Sequence, residues 1–521
     1  MEIRDTQALL FDHSTDCILT PGSPEELMQF GKLQAEFNQQ FEKFFPDNLA
    51  SKTIVVIPSL TLDAEVLSKI DGAMYYEERL LCLLMLLRMP RAHVIYISSM
   101  PIDPVIIDYY LHLLPGITGF HARERLTLLS CNDASNIPLT LKVLQRYRLV
   151  ERIKRSIPPG HVVHMACFNT TDAERTLAVR LGMPIYGCDP VLSYIGTKSG
   201  SRHAFLKAGV PMPPGVEDLK NTEEIIHAVV ALKEMYPHQQ KVLLKLNDGF
   251  SGDGNAIIRY PSLPDKASLE TWMHQNLHKV IIPVANGMDA KQFLEKFHQM
   301  GGIVEAFVEG KVKCSPSVQC RINPMGAVDV ISTHDQELTG EHAQVFAGAH
   351  FPANAEYRNE IARLGMQVAL ELRDRGVTGR FSIDFVSVKE GTNWKHYAIE
   401  INLRKGGTTH PFLMMQFLTN GNYNAVTGLF ETANKQSRYY YASDNVQRNS
   451  YKGLTAQDLI DIAMFHGLHF DGATQKGVMF HMIGALSQYG KMGMVCIGES
   501  AEEAYLFYTK TIEILDAETA I

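Results

Sequence analysis

Short apolar runs alternate with amphipathic stretches over the first 185 residues of the chain. Helices are predicted at Glu77–Arg88 and Pro104–Leu114. Strands are predicted at four β-branched or apolar runs: Thr53–Pro58, His93–Ser98, Leu126–Ser130 and Val162–Cys167. Strands that alternate with helices indicate a parallel sheet with helices on its faces. Because no strand is followed by G-x-G-x-x-G, the pattern does not indicate a dinucleotide site.

The middle of the chain is a mixture of helices and hairpins. Helices are predicted at Asn221–Glu234, Leu269–Leu277 and Glu360–Gly376, and the last of these ends on a glycine that suits a C-cap. Ser317–Ile322 and Ala327–Ser332 flank the turn signal NPMG and predict a β-hairpin.

Beyond about residue 445 the pattern changes again. The polar, turn-rich stretch SDNVQRNSYKG predicts a linker. Thr455–Gly467 predicts a helix, with Thr455 as N-cap and Asp458 three residues further on. Two strands around a glycine-rich turn follow, and Ala501–Leu515 predicts a final helix. Three histidines of this region are expected to be structural and not metal ligands: His466, His469 and His481.

Two strand-like runs before this region carry the most informative polar residues. Phe381–Val388 contains Asp384, and Tyr397–Ile401 contains Glu400, with Asn402 two residues further on. Residues two apart in a strand point to the same face, so these three side chains can converge with help from the neighbouring strand. Three hard oxygen ligands beside phosphate groups suit Mg²⁺. The alternative is a β-hairpin whose acids face solvent.

A glycine-rich segment lies upstream of these strands. Lys241–Tyr260 consists of an apolar strand that bears Lys245, a loop with three glycines, and a second apolar strand. Glycine allows backbone N–H groups to approach phosphate oxygens closely. No Gly-Lys-Ser/Thr follows and the loop leads into a strand, so this is neither a Walker A loop nor a dinucleotide fingerprint. A β-hairpin flap over phosphates is one interpretation, and an ordinary Gly/Asp-rich turn is the other.

Together, the two segments resemble the ATP-grasp family over roughly residues 185–430. EINLR resembles the family's E-x-N-x-R metal and phosphate motif, GTKSGSRHAFLKAGVPMPPG its entry segment, and IVEAFVEG its adenine hinge. Many relatives have an arginine two residues before the first metal acid, where this chain has Ser382. The resemblance implies a fold of α/β and α+β parts. These are an N-terminal parallel-sheet pre-ATP-grasp domain (1–185), an ATP-grasp core of two α+β subdomains (186–440) and a small C-terminal α+β appendage (445–521).

The resemblance also implies a role for each matching residue. Mg²⁺, with Mn²⁺ as an alternative ion, would be held by Asp384, Glu400 and Asn402. ATP would be contacted by two lysines, the flap and the adenine hinge: Lys198, Lys245, Ser251, Gly252, Gly254, Glu305, Phe307, Val308 and Glu309. Catalytic contacts are expected from four residues: Arg404, Lys245, Arg321 and His410. The alternative for Arg321 is a surface cross-strand pair, and for His410 a turn that leads into a helix.

The composition fits a large enzyme that binds neither nucleic acid nor a membrane. The chain has 521 residues, is 45% hydrophobic, and carries a net charge of −8 without a Lys/Arg block. The densest apolar patch, Leu80–Leu87, is too short to span a bilayer. The N-terminus MEIRDTQALL lacks the basic and apolar regions of a signal peptide. The eight cysteines form no C-x-x-C pair, which predicts free thiols in a reducing cytoplasm.

The expected function is that of an ATP-dependent carboxylate–amine ligase. Such an enzyme converts a poorly electrophilic carboxylate into an acyl phosphate, which an amine attacks to form an amide or peptide bond, with release of ADP and phosphate. Small-molecule acids and amines, such as amino acids or peptides, are the expected substrates, and the resemblance admits a homodimer. Two alternatives are a ligase that adds amino acids to a protein and a non-catalytic ATP-binding regulatory module. A kinase or a carboxylase can also use this fold, although no Met-Lys-Met biotinylation segment is present.

Overall fold

The computed structural model describes residues 19–62, 64–249, 254–262, 266–285, 287–339 and 345–520. Within these ranges, α1 to α16 have the following bounds: Pro24–Phe44, Ala64–Ser68, Pro104–His112, Gly119–Arg123, Leu139–Leu144, Tyr147–Arg155, Asp172–Leu181, Lys198–Ala208, Thr222–Met235, Lys266–Val280, Ala290–Met300, Arg358–Asp374, Thr409–Thr419, Ala456–Phe465, Leu486–Tyr489 and Ala501–Glu518. Shorter-pitched 3₁₀ helices occupy Ala73–Arg88, Pro190–Gly196, Asn449–Tyr451 and Ile483–Ala485. None of the described helices combines the length and apolar character that a membrane span requires.

Strands β1 to β19 are distributed over four sheets of the described chain. Their bounds are Lys52–Ile57, Ala92–Ser98, Leu126–Ser130, Val162–Cys167, Gly215–Leu219, Lys241–Leu246, Asn255–Arg259, Ile282–Pro283, Gly302–Ala306, Lys313–Ile322, Val328–Thr339, Val345–Phe351, Gly379–Glu390, Asn393–Asn402, Asn422–Asn424, Leu429–Glu431, Tyr439–Gln447, Gly477–His481 and Lys491–Gly498. The smallest sheet pairs β15 with β16, and the other three sheets build the body of the molecule.

A four-stranded parallel sheet with the order β3-β2-β1-β4 forms the N-terminal part. This confirms the predicted parallel sheet. All six residues of β1 are buried, as expected for a parallel strand that is covered on both faces. The predicted helix at Glu77–Arg88 is instead a longer 3₁₀ helix, Ala73–Arg88, and its leucine-rich half lies in the hydrophobic core.

The segment from β5 to β9 forms an antiparallel sheet with the order β5-β9-β6-β7-β8. Helices α9, α10 and α11 supply apolar residues to its core, among them Val229, Leu277 and Phe293. Strands β6 and β7 pair in antiparallel register, which confirms the two strands of the predicted glycine-rich hairpin. The same pairing places Lys245 on a strand that neighbours the strand of Glu305.

An eight-stranded antiparallel sheet with the order β14-β13-β10-β11-β12-β17-β19-β18 is the centre of the molecule. The strands β13 and β14, which carry the predicted metal ligands, lie at one edge. Helix α12 packs against β10 and β11, and α16 packs against β17 and β19. Both helices present an apolar face to the sheet, so each covers one half of it.

The predicted linker SDNVQRNSYKG is wrong for its first half, because Ser443–Gln447 belongs to β17. β17 pairs with β12 and β19, so the C-terminal α+β region continues the central sheet across the predicted boundary near residue 445. Polar composition indicated a solvated loop. In the fold, however, Ser443 and Asp444 are buried, and the Ser443 hydroxyl donates to the Ala347 carbonyl at 2.5 Å. Polar residues with buried partners can occupy a central strand.

The helix predicted at Thr455–Gly467 is α14, with the predicted capping box. The N–H of Asp458 donates to the Thr455 hydroxyl at 3.2 Å, and the N–H of Thr455 donates to the Asp458 carboxylate at 2.8 Å. β18, β19 and α16 follow in the predicted order. The local signals were sufficient here because each polar partner lies within three residues of the other.

Gly365 in α12 marks a close approach between helix and sheet. A Cβ atom at this position would lie 2.7 Å from Cγ1 of Val318 on β10. Gly31 is an exposed glycine of α1, and a Cβ atom there would have no neighbour within 4 Å. Gly365 is therefore enclosed and Gly31 is open, so the same substitution can be compared at the two helical glycines.

We expect Gly365→Ala to destabilise the fold by about 1–3 kcal/mol, because the added methyl group overpacks the interface with Val318. Gly31→Ala should instead stabilise it by up to about 1 kcal/mol, since alanine has the higher helix propensity. Urea unfolding followed by circular dichroism measures both changes. Stabilisation by both substitutions would contradict the close approach at Gly365.

Candidate active site

A cleft of about 440 Å³ lies between the five-stranded sheet and the edge of the central sheet. Residues from β6 and from the segment after β9 line one wall, and residues from β10, β11, β13 and β14 line the other. Charged groups from both walls face the cleft: Lys198, Lys245, Glu305, Asp384, Glu400 and Arg404. The two sequence segments that motivated the metal and phosphate predictions therefore meet in one place.

The three predicted metal ligands converge as expected. Asp384 and Glu400 are direct partners in the register of β13 and β14, and Asn402 Nδ2 donates to Asp384 Oδ2 at 3.0 Å. Gln336 on β11 donates to the other Asp384 oxygen at 3.0 Å. Burial, followed by the charge of Glu400, raises the pKa of Asp384 to about 7. Two carboxylates held this close favour a cation between them.

Lys198 is the first residue of α8, and its ammonium group forms an ion pair with Glu400. The helix begins there because the Thr197 hydroxyl accepts a hydrogen bond from the N–H of Gly200 at 3.0 Å. Burial opposes ionisation of Glu400, but the charge of Lys198, joined by Lys245 and Arg404, outweighs it and lowers the pKa of Glu400. This arrangement keeps a carboxylate charged at the base of the cleft.

The ammonium group of Lys245 pairs with the carboxylate of Glu305, and the sequence did not predict this pair. The Lys245 ammonium group lies 2.6 Å from Glu305 Oε1, and Arg202 Nη1 lies 3.5 Å from Glu305 Oε2. Glu305 is buried and its side chain is engaged by these two cations. Glu305 thus lines the cleft and pairs with Lys245, and the expected contact of its side chain with adenine stays a prediction.

The other predicted hinge and flap residues either line the cleft, lie outside its lining, or fall outside the described residues. Phe307 and Val308 line the cleft, and the Phe307 ring lies 3.6 Å from Lys241 Nζ. Glu309 is exposed outside the cleft lining. Gly254 and Gly249 both line the cleft. A Cβ atom on Gly254 would lie 3.2 Å from the Cα of Gly249, so the close approach of these two residues favours glycine at both ends of the loop. Two flap residues lie outside the described residues: Ser251 and Gly252.

Arg404 lines the cleft, as predicted, whereas Arg321 lies away from it. Burial lowers the pKa of Arg404, against the opposing charges of Glu400 and Asp384. Arg321 Nη2 lies 2.6 Å from Asp329 Oδ2 on the neighbouring strand, and the Arg321 side chain is 40% exposed. Its expected catalytic contact is wrong, because the cross-strand carboxylate holds the guanidinium at the surface.

His410 is buried behind the cleft wall and is not among the residues that line the cleft. Gly407 and Thr408 line the cleft, while the His410 ring packs against His481 and lies 3.3 Å from Asp444 Oδ1. His410 lies in the first turn of α13, Thr409–Thr419, as the alternative of a turn that leads into a helix predicted, and its catalytic contact stays a prediction. It belongs to a buried polar cluster that the sequence did not indicate.

Several cleft residues were missed because their partners are distant in sequence. Tyr76 and Arg79 from the N-terminal part, Gln336 from β11, and Asp444 and Asn445 from β17 all line the cleft. The polar run Tyr76–Arg79 is a signal in the sequence, but a helix terminus with its salt bridges explains such a run equally well. Only the pairing of strands and the packing of the 3₁₀ helix bring these residues together.

Family models match most of the central and C-terminal chain. A model described as "IQCH-like, ATP-grasp" matches residues 190–282 and 266–426. A second model, described as "PGM1 C-terminal domain", matches residues 458–511. The first match covers Lys198, Lys245, Asp384, Glu400 and Arg404, so it spans the cleft residues that the sequence motifs singled out.

Two related proteins align with almost the whole chain. An L-propargylglycine–L-glutamate ligase from Streptantibioticus cattleyicolor is 28% identical over 464 residues, which are 87% of this chain and 92% of the ligase. IQ motif-containing protein H from Danio rerio is 24% identical over 519 residues, which are 90% of this chain. The chain spans only 49% of that second, longer protein.

Solved structures with the same fold include two nucleotide complexes. An N5-carboxyaminoimidazole ribonucleotide synthetase with ADP superposes with a TM-score of 0.51 at 14% identity, covering 90% of this chain and 98% of the synthetase. A biotin carboxylase from Campylobacter jejuni superposes with a TM-score of 0.53 at 13% identity, covering 89% and 91%. The matching family model, the shared fold and the convergent cleft residues agree, and residues 190–426 of the chain form a domain of the ATP-grasp superfamily.

Proposed function

We propose that this chain is an ATP-dependent carboxylate–amine ligase that forms an amide or peptide bond and releases ADP and phosphate. The observation that carries the proposal is the convergence of Asp384, Glu400 and Asn402 with cations in one cleft. Phosphoryl transfer requires positioned substrates and neutralised charge more than covalent help from the protein. A cleft with this arrangement of opposite charges is suited to that task.

The donor set of the cleft fits a divalent cation. Asp384 and Glu400 offer carboxylate oxygens, Asn402 offers an amide oxygen, and the raised pKa of Asp384 reflects two buried acids at close range. These are ligands that Mg²⁺ prefers, and Mn²⁺ accepts the same set. When bound, the ion would offset the negative charge of the ATP phosphates. We therefore assign Asp384, Glu400 and Asn402 as its ligands.

ATP would lie across the cleft with its base at the Phe307 end. Phe307 and Val308 provide the apolar wall and backbone groups for adenine, and Lys198 and Lys245 provide positive charge for the phosphates. The glycine-rich loop that joins β6 to β7 would cover the phosphates. This role of Ser251 and Gly252 stays a prediction, as does the contact of Glu309 with ATP.

In the proposed reaction, a substrate carboxylate oxygen attacks the γ-phosphorus of ATP and ADP leaves. The amine then attacks the carbonyl carbon of the acyl phosphate, phosphate leaves, and the amine loses a proton. Arg404 lines the cleft beside Glu400 and Asp384, and its planar guanidinium is suited to hold the acyl phosphate oxygens. Closure over the cleft would exclude water, which otherwise hydrolyses the intermediate.

Small acids and amines, including amino acids, are the proposed substrates. The relative from Streptantibioticus cattleyicolor is named as a ligase of two amino acids, and this chain aligns with 92% of it. The seven cysteines of the described ranges are all free thiols, which supports the proposed cytoplasmic location. A homodimer stays a prediction.

The first experiment is a screen for ADP and phosphate release with ATP and Mg²⁺ across pairs of small acids and amino acids, with product masses read in parallel. A ligase gives ADP only with its substrates, and its product has the mass of both reactants minus one water. Release of ADP without any coupled product would contradict amide formation.

Glu400→Gln should lower the rate of ADP release by at least about a thousandfold, because it removes a metal ligand and the partner of Lys198. Glu390→Gln is the matched control, since Glu390 lies at the far end of β13 in a surface pair with Lys395. Steady-state ADP release measures both variants. Full activity of Glu400→Gln would show that the metal assignment is incorrect.

Lys245→Met should weaken ATP binding about 10- to 100-fold, the expected effect of losing one charged contact to phosphate. Glu305→Gln should weaken it less, because Lys245 keeps its charge but loses its anchor. Lys291→Met in α11 is the control, as Lys291 is 84% exposed. Isothermal titration calorimetry with ATP and Mg²⁺ gives all three affinities. An unchanged affinity for Lys245→Met would remove the proposed phosphate contact.

A further inference from the structure

The end of the cleft beyond Arg404 carries a second pair of opposite charges. Arg79, on the 3₁₀ helix Ala73–Arg88, and Asp444, on β17, both line the cleft. Arg79 Nη2 lies 2.8 Å from Asp444 Oδ2, and the two side chains are only 10% and 7% exposed. The guanidinium also lies 4.1 Å from the centre of the Tyr76 ring. Nothing in the proposed phosphoryl transfer uses this pair.

The pair is incompletely satisfied on its own. Arg79 Nε is buried without a hydrogen-bond partner among the described residues. Asp444 Oδ2 also lacks a hydrogen-bond donor there, so its contact with Arg79 is an ion pair without good hydrogen-bond geometry. Buried polar groups are normally hydrogen-bonded. Because Arg79 and Asp444 line the cleft, a ligand that carries both an acceptor and a donor can replace their contact and complete both groups.

Two histidines hold Asp444 from behind. His481 Nε2 lies 2.7 Å and His410 Nε2 lies 3.3 Å from Asp444 Oδ1, and the two Nε2 atoms are 2.9 Å apart. Burial first, and then the neighbouring His481, lower the pKa of His410 to about 4, so this ring is neutral near pH 7. The histidines thus engage one oxygen of Asp444 and leave the other turned to Arg79.

A metal ion is the competing occupant of this cluster, because His410, Asp444 and His481 place three potential ligand atoms close together. The guanidinium of Arg79 beside the same carboxylate weighs against it, since it already neutralises the charge that would attract a cation. The 2.9 Å separation of the two ring nitrogens is also a hydrogen-bonding distance. The cluster therefore fits a hydrogen-bonded support for Asp444 better than a metal site.

We propose that Arg79 and Asp444 form the subsite that recognises the α-carboxylate and the α-ammonium group of the amino acid that supplies the amine, whose proton is lost before the amine attacks the acyl phosphate. A guanidinium binds carboxylate through parallel N–H donors, and a carboxylate accepts from ammonium. A zwitterion brings no net charge into this buried end of the cleft, so the ion pair exchanges partners without creating an unpaired charge. His410 and His481 are positioning residues for Asp444. The inference rests on the proposed ligase function and names the class of one substrate.

The test uses the protein with ATP, Mg²⁺ and the twenty standard amino acids, alone and in pairs, and then the α-carboxamide of the amino acid that supplies the amine, which keeps its nucleophile. We expect Arg79→Met to raise KM for that amino acid about 100-fold, with KM for ATP within about twofold. The variant should also lose the preference for the amino acid over its carboxamide. Asp444→Asn should raise KM for the same amino acid, again with KM for ATP within about twofold.

Arg88→Met is the matched control. Arg88 lies on the same 3₁₀ helix and stacks over Phe417, outside the cleft, so its loss should leave both KM values and the preference over the carboxamide unchanged. Arg79→Lys should recover part of the lost affinity by restoring the charge. Arg79→Gln removes the charge but keeps a polar side chain, so it carries the test if Arg79→Met does not fold. His481→Gln should raise KM for the amino acid without changing KM for ATP.

Three results would overturn the inference. The first is an Arg79→Met or Arg79→Gln enzyme that still prefers the amino acid over its carboxamide as strongly as the wild type. The second is one equivalent of a transition metal in the purified protein that His481→Gln loses. The third is coupling of other acids and amines but of no α-amino acid, which leaves the ligase proposal intact. Absence of any coupled product would instead refute the ligase proposal itself.

Discussion

The antiparallel register of β13 and β14 is the constraint on which the site depends. It sets Asp384 directly opposite Glu400, with an irregularity just after Asp384. Side chains alternate between the faces of a strand, so a slip of one residue would turn these acids away from the cleft. The pairing of β13 with β10, and of β10 with β11, then brings Gln336 to Asp384.

Buried ion pairs hold the remaining charged groups in place. Lys198 pairs with Glu400 and Lys245 with Glu305, while Arg79 pairs with Asp444. Removing charges from water is unfavourable by several kcal/mol per ion, so such pairs add little to stability. These ion pairs instead fix the orientation of the charged groups. Groups that are oriented before a reaction begins need not reorganise during it.

The two ends of the cleft come from different parts of the chain. The residues proposed to handle ATP belong to the stretch that matches the ATP-grasp family model. The far end instead combines the 3₁₀ helix of the N-terminal part with β17 and His481 from the C-terminal part. In the proposed scheme, phosphoryl transfer and substrate recognition are therefore carried by separate segments. Substitutions in the outer segments can then change which substrate is bound without disturbing the proposed phosphate contacts.

Local pattern was enough to predict most of the elements. The four parallel strands, the glycine-rich hairpin, the capping box of α14 and the strands of Asp384 and Glu400 all have signals within a few residues. The motif around Glu400 also predicted the convergence of the metal ligands. By contrast, composition misplaced Ser443–Gln447, because a buried polar strand and a solvated loop have the same residue types.

By itself, then, the sequence determined most of the element types and the class of the fold, and it singled out residues that meet in one cleft, since periodicity and short motifs are local properties. Tertiary structure alone decided that Glu305 orients Lys245, that Asp329 holds Arg321 outside the cleft, and that Arg79 meets Asp444. A charged side chain is attracted to whichever opposite charge the fold brings nearest. That neighbour is set by strand order and helix packing across hundreds of residues, and no local pattern records it.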